Sequence, residues 1–259
     1  MEPVSATIIT CNEAHAVADA LRSVSWADEI IIVDSGSADA TLRICRDYTD
    51  KIFHRDWTGF ADQKNHAVDR ASNDWILSID ADERVGPGLR GEIEDAARAG
   101  FRLRGYRIPR RAFFMGRWIR HGDWYPDCQM RLFDRRHGRW RGGRVHESVA
   151  VEGPTGSMRG EILHYCYRDF SEYLRKLERY STLAALDCRD RGRRATPWAL
   201  VSGPLGVFAR AYLLRRGFLD GVPGFAVAAM GAVSTFSKYA KLRELEQGAR
   251  APGGTGTPG

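Results

Sequence analysis

The chain has 259 residues, of which 43% are hydrophobic and 28% are charged. This ordinary soluble composition allows one large domain, or one domain with an appendage, to bury a substantial core. The net charge of +6 and a pI near 9.2 favour an anionic partner: a nucleotide, a phosphorylated lipid, an acidic membrane surface or nucleic acid. Charge alone does not choose among these partners.

The five cysteines are scattered and form no C-x-x-C pair, which disfavours a zinc or redox site and fits a reduced, cytosolic setting. The N-terminal residues lack the basic region of a signal peptide. No uninterrupted apolar stretch reaches the roughly 20 residues that span a bilayer, so we expect no transmembrane helix.

Strands and helices alternate in the first part of the chain. The pattern predicts strands at residues 4–10, 29–33, 51–54 and 75–79 and helices at residues 14–24, 39–48 and 60–71. Alternation of this kind implies a mostly parallel sheet with right-handed crossovers, which gathers the ends of the strands at one edge. The expected fold class is therefore α/β.

Polar residues stand where three of these strands end. Thr10, Asn12 and Glu13 follow the first strand, residues 34–39 the second, and residues 80–83 the fourth, so we expect them to converge on one crevice. Asp34 can accept hydrogen bonds from a base or a ribose. Gly36 permits a tight turn, and Ser35 and Ser37 can cap the following helix. Alternatively, these residues form only a turn, and Asp39 only caps the following helix.

Asp80 and Asp82 are the clearest candidates for chemistry. Two carboxylates one residue apart can share a hard divalent cation, and that cation can neutralise a diphosphate. The D-x-D pattern alone is weak, but its position after a buried strand strengthens it. Lys64, in the run Gln63-Lys64-Asn65, can bring a positive charge toward phosphate, although a lysine on a helix is more often solvated.

Other nucleotide-binding and hydrolytic motifs are absent. Residues 11–15 lack the glycines of a dinucleotide fingerprint, and no lysine follows a glycine as in a P-loop. A nucleophile elbow, an H-E-x-x-H motif and paired cysteine zinc ligands are also missing.

The order of motifs resembles family 2 glycosyltransferases, which have the GT-A fold. The resemblance rests on the runs at residues 8–13, 32–39, 63–65 and 80–83. Residues 124–133, 145–147 and 217–242 further resemble bacterial lipopolysaccharide inner-core β-1,4-glucosyltransferases. The likeness extends over nearly the whole chain up to Glu246.

The resemblance implies a metal-dependent, inverting hexosyltransferase with a nucleotide-sugar donor. It implies that Thr10, Glu13 and Asp34 hold the nucleoside and that Asp80 and Asp82 flank Mg²⁺ or Mn²⁺, with Asp82 the direct ligand in most relatives. The expected sugar is glucose, and the expected acceptor is a lipopolysaccharide inner core or another glycolipid at the cytoplasmic face of the inner membrane. A polyprenyl-phosphate or capsule precursor is an alternative acceptor.

An inverting transfer needs a base for the acceptor hydroxyl. The candidates are Asp123, Asp127 and Glu147, of which Asp127 and Glu147 rank level. His146 is a residue that supports the site from behind its ligands, an added metal ligand, or a packed histidine bonded to backbone. Further candidates are Arg131, expected near the diphosphate or the acceptor, and three aromatic residues suited to stacking on sugars or to the core: Trp118, Trp124 and Tyr125.

Arginines concentrate at residues 102–120 and 131–144. They suit a phosphorylated lipid or core oligosaccharide, and a nucleic acid would suit the same charge. We prefer the former because a metal site is predicted upstream, and we expect no nucleic-acid partner. A merely solvated surface is the third possibility.

The C-terminal part has a different pattern. Residues 170–186 predict an amphipathic helix, residues 187–194 a charged break, and residues 198–214 and 222–236 two apolar segments edged by cations. These segments fit helices in a membrane interface, or helices packed on the catalytic domain or on a second subunit.

The resulting domain prediction has three parts. A catalytic domain covers residues 1–165, with a nucleotide-sugar half at about 1–100 and an acceptor half at about 101–165. A helical extension covers residues 166–246, and residues 247–259 form a disordered tail.

Overall fold

A computed structural model gives the structure of the protein and describes residues 1–142, 147–167 and 169–248. The chain divides into two compact units. The first unit comprises Met1–Arg120 and Trp124–Cys166, and the second comprises His121–Asp123 and the chain from Tyr167 onward.

The first unit alternates strands and helices before a strand-rich second half. Its strands are β1 (Val4–Thr10), β2 (Glu29–Asp34), β3 (Ile52–His54), β4 (Trp75–Asp80), β5 (Glu83–Val85), β6 (Gly105–Phe114), β7 (Arg117–Trp118), β8 (Asp127–Asp134), β9 (Gly138–Gly142), β10 (Glu147–Val151), β11 (Thr155–Ser157) and β12 (Ile162–His164). Its helices are α1 (Val17–Ser23), α2 (Thr41–Arg46), α3 (Phe60–Arg70) and α4 (Pro87–Arg98).

The main sheet has the strand order β3-β2-β1-β4-β8-β6-β12-β5, and β7 and β11 also pair with β6. The strands from β3 to β4 are parallel, whereas β8 is antiparallel to both β4 and β6. The predicted parallel sheet is thus confirmed for the first four predicted strands, and the later strands make the whole sheet mixed. A separate antiparallel hairpin is formed by β9 and β10.

The register of the parallel strands aligns their carboxyl ends. Thr10 lies beside Asp34 across β1 and β2, and Ile9 lies beside Asp80 across β1 and β4. The polar residues that follow these strands therefore lie at the same edge of the sheet, where open α/β sheets bind ligands.

Both faces of the parallel strands are buried. In β2, Ile30 and Ile32 belong to a core cluster that includes residues of α1, α2 and α4, whereas Ile31 and Val33 belong to the cluster that includes Ala67 and Val68 of α3. This is the two-residue period of a strand. Burial on both faces explains why β2 is an unbroken apolar run.

The helices α1 and α2 begin later than predicted. The N–H of Glu13 donates to Thr41 Oγ1 at 2.8 Å, and that of Ala14 donates to Asp39 Oδ2 at 3.2 Å. Asp39 Oδ1 also accepts the N–H of Thr41, the first residue of α2, at 2.9 Å. The residues before both helices are therefore used to join the two loops.

The second unit is helical. Its helices are α5 (Phe170–Asp190), α6 (Pro197–Phe208) and α7 (Gly221–Gly248), with a π-helical turn (Ala209–Leu214) and a 3-10 turn (Gly217–Asp220) between α6 and α7. Asp169 caps α5 by accepting the N–H of Glu172 at 2.7 Å. Thr196 caps α6 by accepting the N–H of Ala199 at 3.1 Å.

Two predicted boundaries in this unit are wrong. The break predicted at residue 187 begins later, because α5 continues to Asp190 and Asp187 forms an ion pair with Arg191 one turn on, at 3.1 Å. The second apolar segment was expected to end at residue 236, but α7 continues to Gly248 and Lys241 donates to Glu178 and Ser181 of α5. Residues 249–259 of the predicted tail lie outside the described residues.

The stretch Gly217–Gln247 is helical, and by length and composition it could cross a membrane, with 28% of its most apolar window buried. The sequence expectation of no segment of spanning length therefore does not hold. A single such helix is weak evidence for a span, since buried helices of soluble proteins have the same composition.

Candidate active site

The loops after β1 and β2 are joined by side-chain hydrogen bonds. Asn12 has φ 57°, in the left-handed region that asparagine tolerates. Its Oδ1 accepts the N–H of Ala38 at 2.8 Å, and its own N–H donates to Ser37 Oγ at 2.9 Å. Ser37 therefore ties the two loops together, and in the described structure neither Ser35 nor Ser37 caps α2, contrary to the prediction.

Asp34 is buried at the end of β2 and holds the turn that follows it. Its Oδ2 accepts the N–H groups of Gly36 and Ser37, each at 2.8 Å, and Oδ1 accepts the Ser37 hydroxyl. Gly36 has φ 97°, which only glycine adopts readily, so the tight turn predicted there is present. The neighbouring Thr10 is buried as well.

The run at residues 63–65 connects three parts of the first unit. Gln63 donates to the carbonyl groups of Arg55 and Asp56 at 2.9 and 2.8 Å. Asn65 exchanges two hydrogen bonds with the backbone of Trp140 in β9, at 2.9 and 3.0 Å. These contacts fix α3 against the sheet edge on both sides of Lys64.

Lys64 is not the solvated lysine that a helix usually carries, because it is only 3% exposed. Its Nζ lies 2.9 Å from Asp80 Oδ1 and 3.2 Å from Glu147 Oε1. The same nitrogen lies 4.4 Å from the ring centroid of Trp140. Lys64 thus joins the first carboxylate of the D-x-D to a candidate base.

Asp80 is held by two cations. Arg131 Nη2 lies 2.9 Å from its Oδ2, opposite the oxygen that Lys64 contacts. Burial raises the pKa of the Asp80 carboxyl, but the charges and hydrogen bonds of Arg131 and Lys64 outweigh burial and hold that pKa well below its ordinary value. Asp80 therefore stays ionised.

Arg131 is buried, and the position near the diphosphate or the acceptor that the sequence suggests for it stays a prediction. Besides Asp80 it donates to Glu83 Oε1 at 2.8 Å, and the buried Glu83 also accepts the N–H of Asp80 at 2.9 Å. Burial lowers the pKa of the Arg131 guanidinium, but Asp80 and Glu83 raise it by more. Arg131 therefore stabilises the D-x-D loop by binding both Asp80 and Glu83.

The charge network continues to Asp127. Arg110 Nη1 lies 3.0 Å from Glu83 Oε1, and Arg110 Nε and Nη2 donate to Asp127 Oδ2 at 2.9 and 2.6 Å. Gln129 donates to the other oxygen, Oδ1, at 2.5 Å. Both oxygens of Asp127 therefore already accept hydrogen bonds.

Asp82 has a different environment from Asp80. Its Oδ2 lies 3.2 Å from Nε2 of His164 in β12, and about a fifth of each side chain is exposed. A carboxylate beside an imidazole suits a divalent cation that accepts oxygen and nitrogen ligands, such as Mn²⁺. Among the described residues no group of three or more His, Cys, Asp or Glu side chains could hold a metal ion, and Asp82 with His164 is a close carboxylate–imidazole pair.

The three candidate bases have different surroundings in the structure. Glu147 lies in the first unit beside Lys64 and is 18% exposed, and Asp127 lies at the far end of the arginine network. Asp123 belongs to the second unit, where it pairs with Arg210 at 2.7 Å and Arg215 at 3.2 Å. Asp123 is thus part of a structural ion-pair cluster. His146 lies outside the described residues.

The aromatic candidates pack with other side chains. Trp118 lies 5.1 Å from Phe113 and 5.2 Å from Tyr165 between ring centroids, and Trp124 lies 5.2 Å from Phe114. Tyr125 donates to Glu161 at 2.8 Å, which raises the pKa of its hydroxyl. All three are half-buried, and the rings of Trp118 and Trp124 pack against other aromatic rings.

Sequence reasoning missed His164, Arg110 and Trp140. His164 ends a strand of three residues, too short to detect, and it meets Asp82 across 82 positions of sequence. Arg110 was one of many arginines in a basic run. Only the pairing of β6 with β8, which places Arg110 opposite Asp127, distinguishes it.

Comparison with known proteins gives a consistent family. The sequence profile described as Glycosyl transferase family 2 matches residues 5–148. The chain is 33% identical over 247 residues to the lipopolysaccharide core biosynthesis glycosyltransferase LpsC of Rhizobium meliloti, covering 93% of this chain and 92% of LpsC. It is 30% identical to an uncharacterized glycosyltransferase of Rickettsia typhi, covering 95% of this chain and 88% of that protein.

Solved structures include a distant match. The chain is 12% identical to Staphylococcus aureus TarS in complex with UDP, with a TM-score of 0.48, covering 95% of this chain and 92% of the TarS chain. The profile match and the identity to LpsC, together with the sheet described above, lead to one conclusion. The chain belongs to glycosyltransferase family 2 and is a glycosyltransferase with the GT-A fold.

Proposed function

We propose that this glycosyltransferase moves a hexose, glucose in the first instance, from a nucleotide sugar to an inner-core sugar of lipopolysaccharide. The observation that carries the proposal is the alignment of Thr10, Asp34 and Asp80 at one edge of the sheet. The acceptor class is supported by the identity to LpsC, whose name refers to lipopolysaccharide core biosynthesis.

The donor side of the site is formed by the loops after β1 and β2. The Asn12 and Ser37 bonds hold these loops together, and Asp34 fixes the turn in the second loop. In this proposal Thr10, Asn12, Glu13 and Asp34 form the pocket for the nucleoside. A pocket fixed before binding costs less ordering entropy when the donor enters.

Mg²⁺ or Mn²⁺ fits this site at Asp82 and His164, which offer one oxygen and one nitrogen ligand. The cation would neutralise charge on the diphosphate as the nucleotide leaves. Asp80 has both oxygens engaged by Lys64 and Arg131, so we assign it the role of holding the D-x-D loop and Lys64 in place.

We assign the base to Glu147. It shares Lys64 with Asp80, which places it beside the D-x-D, whereas Asp127 has three donors on its two oxygens and must release one before it can take a proton. Asp127 then positions Arg110, which holds Glu83 and through it Arg131. Glu147 would accept the proton of the acceptor hydroxyl as the new bond to the sugar forms.

The test is a transfer assay with the purified chain. A panel of nucleotide sugars is incubated with and without Mn²⁺ or Mg²⁺, first alone and then with lipopolysaccharide truncated in its inner core. We expect slow cation-dependent hydrolysis of one donor and faster transfer to the truncated core. Transfer to a polyprenyl phosphate or a capsule precursor instead would replace the proposed acceptor with the alternative.

The same assay tests the base. Glu147→Gln is expected to lower kcat by about 10² to 10⁴-fold, the usual contribution of a positioned base, with a smaller loss for Asp127→Asn. Wild-type turnover of the Glu147 variant together with an inactive Asp127 variant would move the base to Asp127.

Because the proposed acceptor is a glycolipid, we also propose that the protein acts in the cytoplasm, as a peripheral protein at the inner face of the bacterial inner membrane. The exposed apolar residues of the second unit and the net charge of +6 support this location.

A further inference from the structure

The corner between α6 and α7 exposes large apolar side chains close together in sequence. They are Leu213, Leu214, Phe218, Leu219 and Val222, and the exposure reaches 79% at Leu214 and 70% at Val222. We call these five residues, together with Arg215 and Arg216, the hairpin tip. Exposed apolar residues clustered in this way mark an interaction surface.

The hairpin tip is a tightly packed corner. A Cβ atom on Gly217 would lie 2.7 Å from the carbonyl oxygen of Ala211, and one on Gly224 would lie 1.9 Å from that of Gly217, so the backbone segments touch. Beneath the corner, the ring of Tyr212 lies 5.7 Å from Phe225 and 6.2 Å from Phe218 between centroids. The exposed apolar side chains therefore project from a closely packed corner.

The hairpin tip is also cationic. Arg215 and Arg216 are exposed, and among the described residues no ion pair involves Arg216. The nearby acids are already engaged: Asp123 pairs with Arg210 and Arg215, and the buried Asp220 accepts the N–H of His121 at 2.7 Å. The patch thus combines apolar side chains with positive charge.

Apolar residues continue away from the hairpin tip along both helices. On α7 the exposed residues Val222, Phe225, Val233 and Phe236 recur at helical spacing, and on α6 Trp198, Val201 and Leu205 do the same. Exposed apolar surface therefore extends from the hairpin tip along part of both helices, which enlarges the patch that can meet a partner.

We propose that the hairpin tip inserts into the boundary between headgroups and acyl chains of an anionic phospholipid bilayer, with Arg215 and Arg216 among the phosphates. The proposal rests on the proposed function for one step, that a glycolipid acceptor brings the enzyme to a membrane. Beyond the proposed function, it names the surface that contacts the membrane, and it states that the hairpin enters only one leaflet.

A second copy of the chain suits this surface less well. A symmetric dimer would bring the same patch onto itself, so that Arg215 and Arg216 would face their own copies. Asp123 pairs with Arg215, but among the described residues no acid forms an ion pair with Arg216, and Asp220 is buried with His121, so the repulsion at Arg216 is not offset. Lipid phosphates supply the missing negative charge.

A hairpin of α6 and α7 that crosses the whole bilayer also agrees less well with the structure. The 12 residues of α6 extend about 18 Å, short of the roughly 30 Å hydrocarbon core. The turn that follows contains Arg210 in an ion pair with Asp123, a contact that is costly in hydrocarbon. The C-terminal half of α7 is bonded to α5 through Lys241.

The test measures flotation of the full-length protein with vesicles, without donor or acceptor. We expect binding to vesicles of phosphatidylglycerol and phosphatidylcholine and little binding to pure phosphatidylcholine. Leu214→Glu is expected to lower the bound fraction more than tenfold, whereas Leu174→Glu, an exposed leucine on α5, serves as the matched control and should bind normally. The melting temperature of each variant checks its folding.

A charge variant tests the proposed contact between the arginines and the lipid phosphates. Arg216→Gln should weaken binding to anionic vesicles about fivefold, as expected of one basic residue near such a surface, and the exposed Arg243→Gln should not. Normal binding of Leu214→Glu, or binding that ignores phosphatidylglycerol, would overturn the proposal. So would resistance of the bound protein to a carbonate wash, which indicates a span, or a lipid-free dimer that Leu214→Glu dissociates.

The outcome is independent of the proposed function. Vesicle binding uses no sugar nucleotide, and the transfer assay, with donor alone or with truncated lipopolysaccharide, uses no phospholipid vesicle. A protein that binds vesicles but transfers no sugar would contradict only the proposed function, and the reverse result would contradict only the membrane surface.

Discussion

Asp80 and Asp82 are two positions apart, yet their side chains meet different partners. Asp80 lies between Lys64 and Arg131, both nearly inaccessible to solvent, whereas Asp82 lies beside His164; about a quarter of the Asp80 side chain and a fifth of the Asp82 side chain are exposed. The first carboxylate therefore balances two buried cations, whereas the second is the one to which we assign the cation in the proposed function. The two residues should respond differently to the same substitution.

Asp82→Ala is expected to abolish transfer, with a loss of at least about 100-fold, because it removes the oxygen ligand of the proposed cation. Its melting temperature should stay close to that of the wild type, since Asp82 lies in a loop at the sheet edge and its partner His164 is itself partly exposed. Activity and thermal unfolding of the same preparation give the two numbers. A fully active variant would refute the metal assignment.

Asp80→Ala is expected to destabilise the fold. It removes a partner from both Lys64 and Arg131, and breaking a buried ion pair on one side costs about 3 to 5 kcal/mol. Urea unfolding measures this loss, and Asp56→Ala, at an aspartate whose side chain is 97% exposed, is the control with little expected effect. An Asp80 variant as stable as the control would contradict the network.

At the scale of elements, one carboxylate joins the amino-terminal ends of the parallel strands. Glu29 begins β2 and accepts hydrogen bonds from the Ser5 hydroxyl of β1, from Lys51 before β3, and from Ser72 before β4 at 2.8 Å. Burial raises the pKa of Glu29, but these bonds together lower it to about 2. The bonds therefore stabilise the sheet only while Glu29 is ionised.

A lowered pKa in the folded state means that the stabilisation is present above the unfolded-state pKa of about 4.5 and is lost as the pH falls toward 2. Glu29→Gln should therefore cost on the order of 3 kcal/mol near pH 7, and the difference from the wild type should shrink between pH 4.5 and 2. Urea unfolding at several pH values measures this, with the exposed Glu244→Gln as control. A difference that does not change with pH would contradict the assignment.

The alternating elements of the first unit could be predicted because their cause is local. Apolar runs that are followed by polar or turn-forming residues define β1, β2 and β4. The parallel arrangement of these strands then places Asp34 and Asp80 at one edge of the sheet. The burial of Lys64 could not be predicted, because it depends on Glu147, 83 positions away, and on Trp140 of another hairpin. The membership of Asp123 in the second unit likewise depends on Arg210 and Arg215, far along the chain.

At the scale of the whole molecule, the net charge of +6 fits two kinds of anionic partner that behave differently with salt. A donor site with a cation binds a nucleoside diphosphate through a few fixed contacts. A nucleic-acid surface releases counterions and loses affinity steeply as salt rises. Family membership favours the first.

Nucleoside diphosphates with Mn²⁺ are therefore expected to raise the melting temperature of the protein, because a ligand that binds only the folded state stabilises it. The rise should be smaller without Mn²⁺ and absent in Asp82→Ala. Single-stranded RNA titrated at several salt concentrations is the comparison, and tight RNA binding with a steep salt slope would contradict the expectation.

Lys64 is one cation shared by two carboxylates, Asp80 and Glu147. When either acid is neutralised, the ammonium group can turn wholly toward the other, so the energetic effects of substitutions at these two positions are not additive. A double-mutant cycle would measure this coupling as a free energy. A loss of turnover in Glu147→Gln therefore includes a change at the D-x-D, and only the cycle separates proton transfer from that electrostatic redistribution.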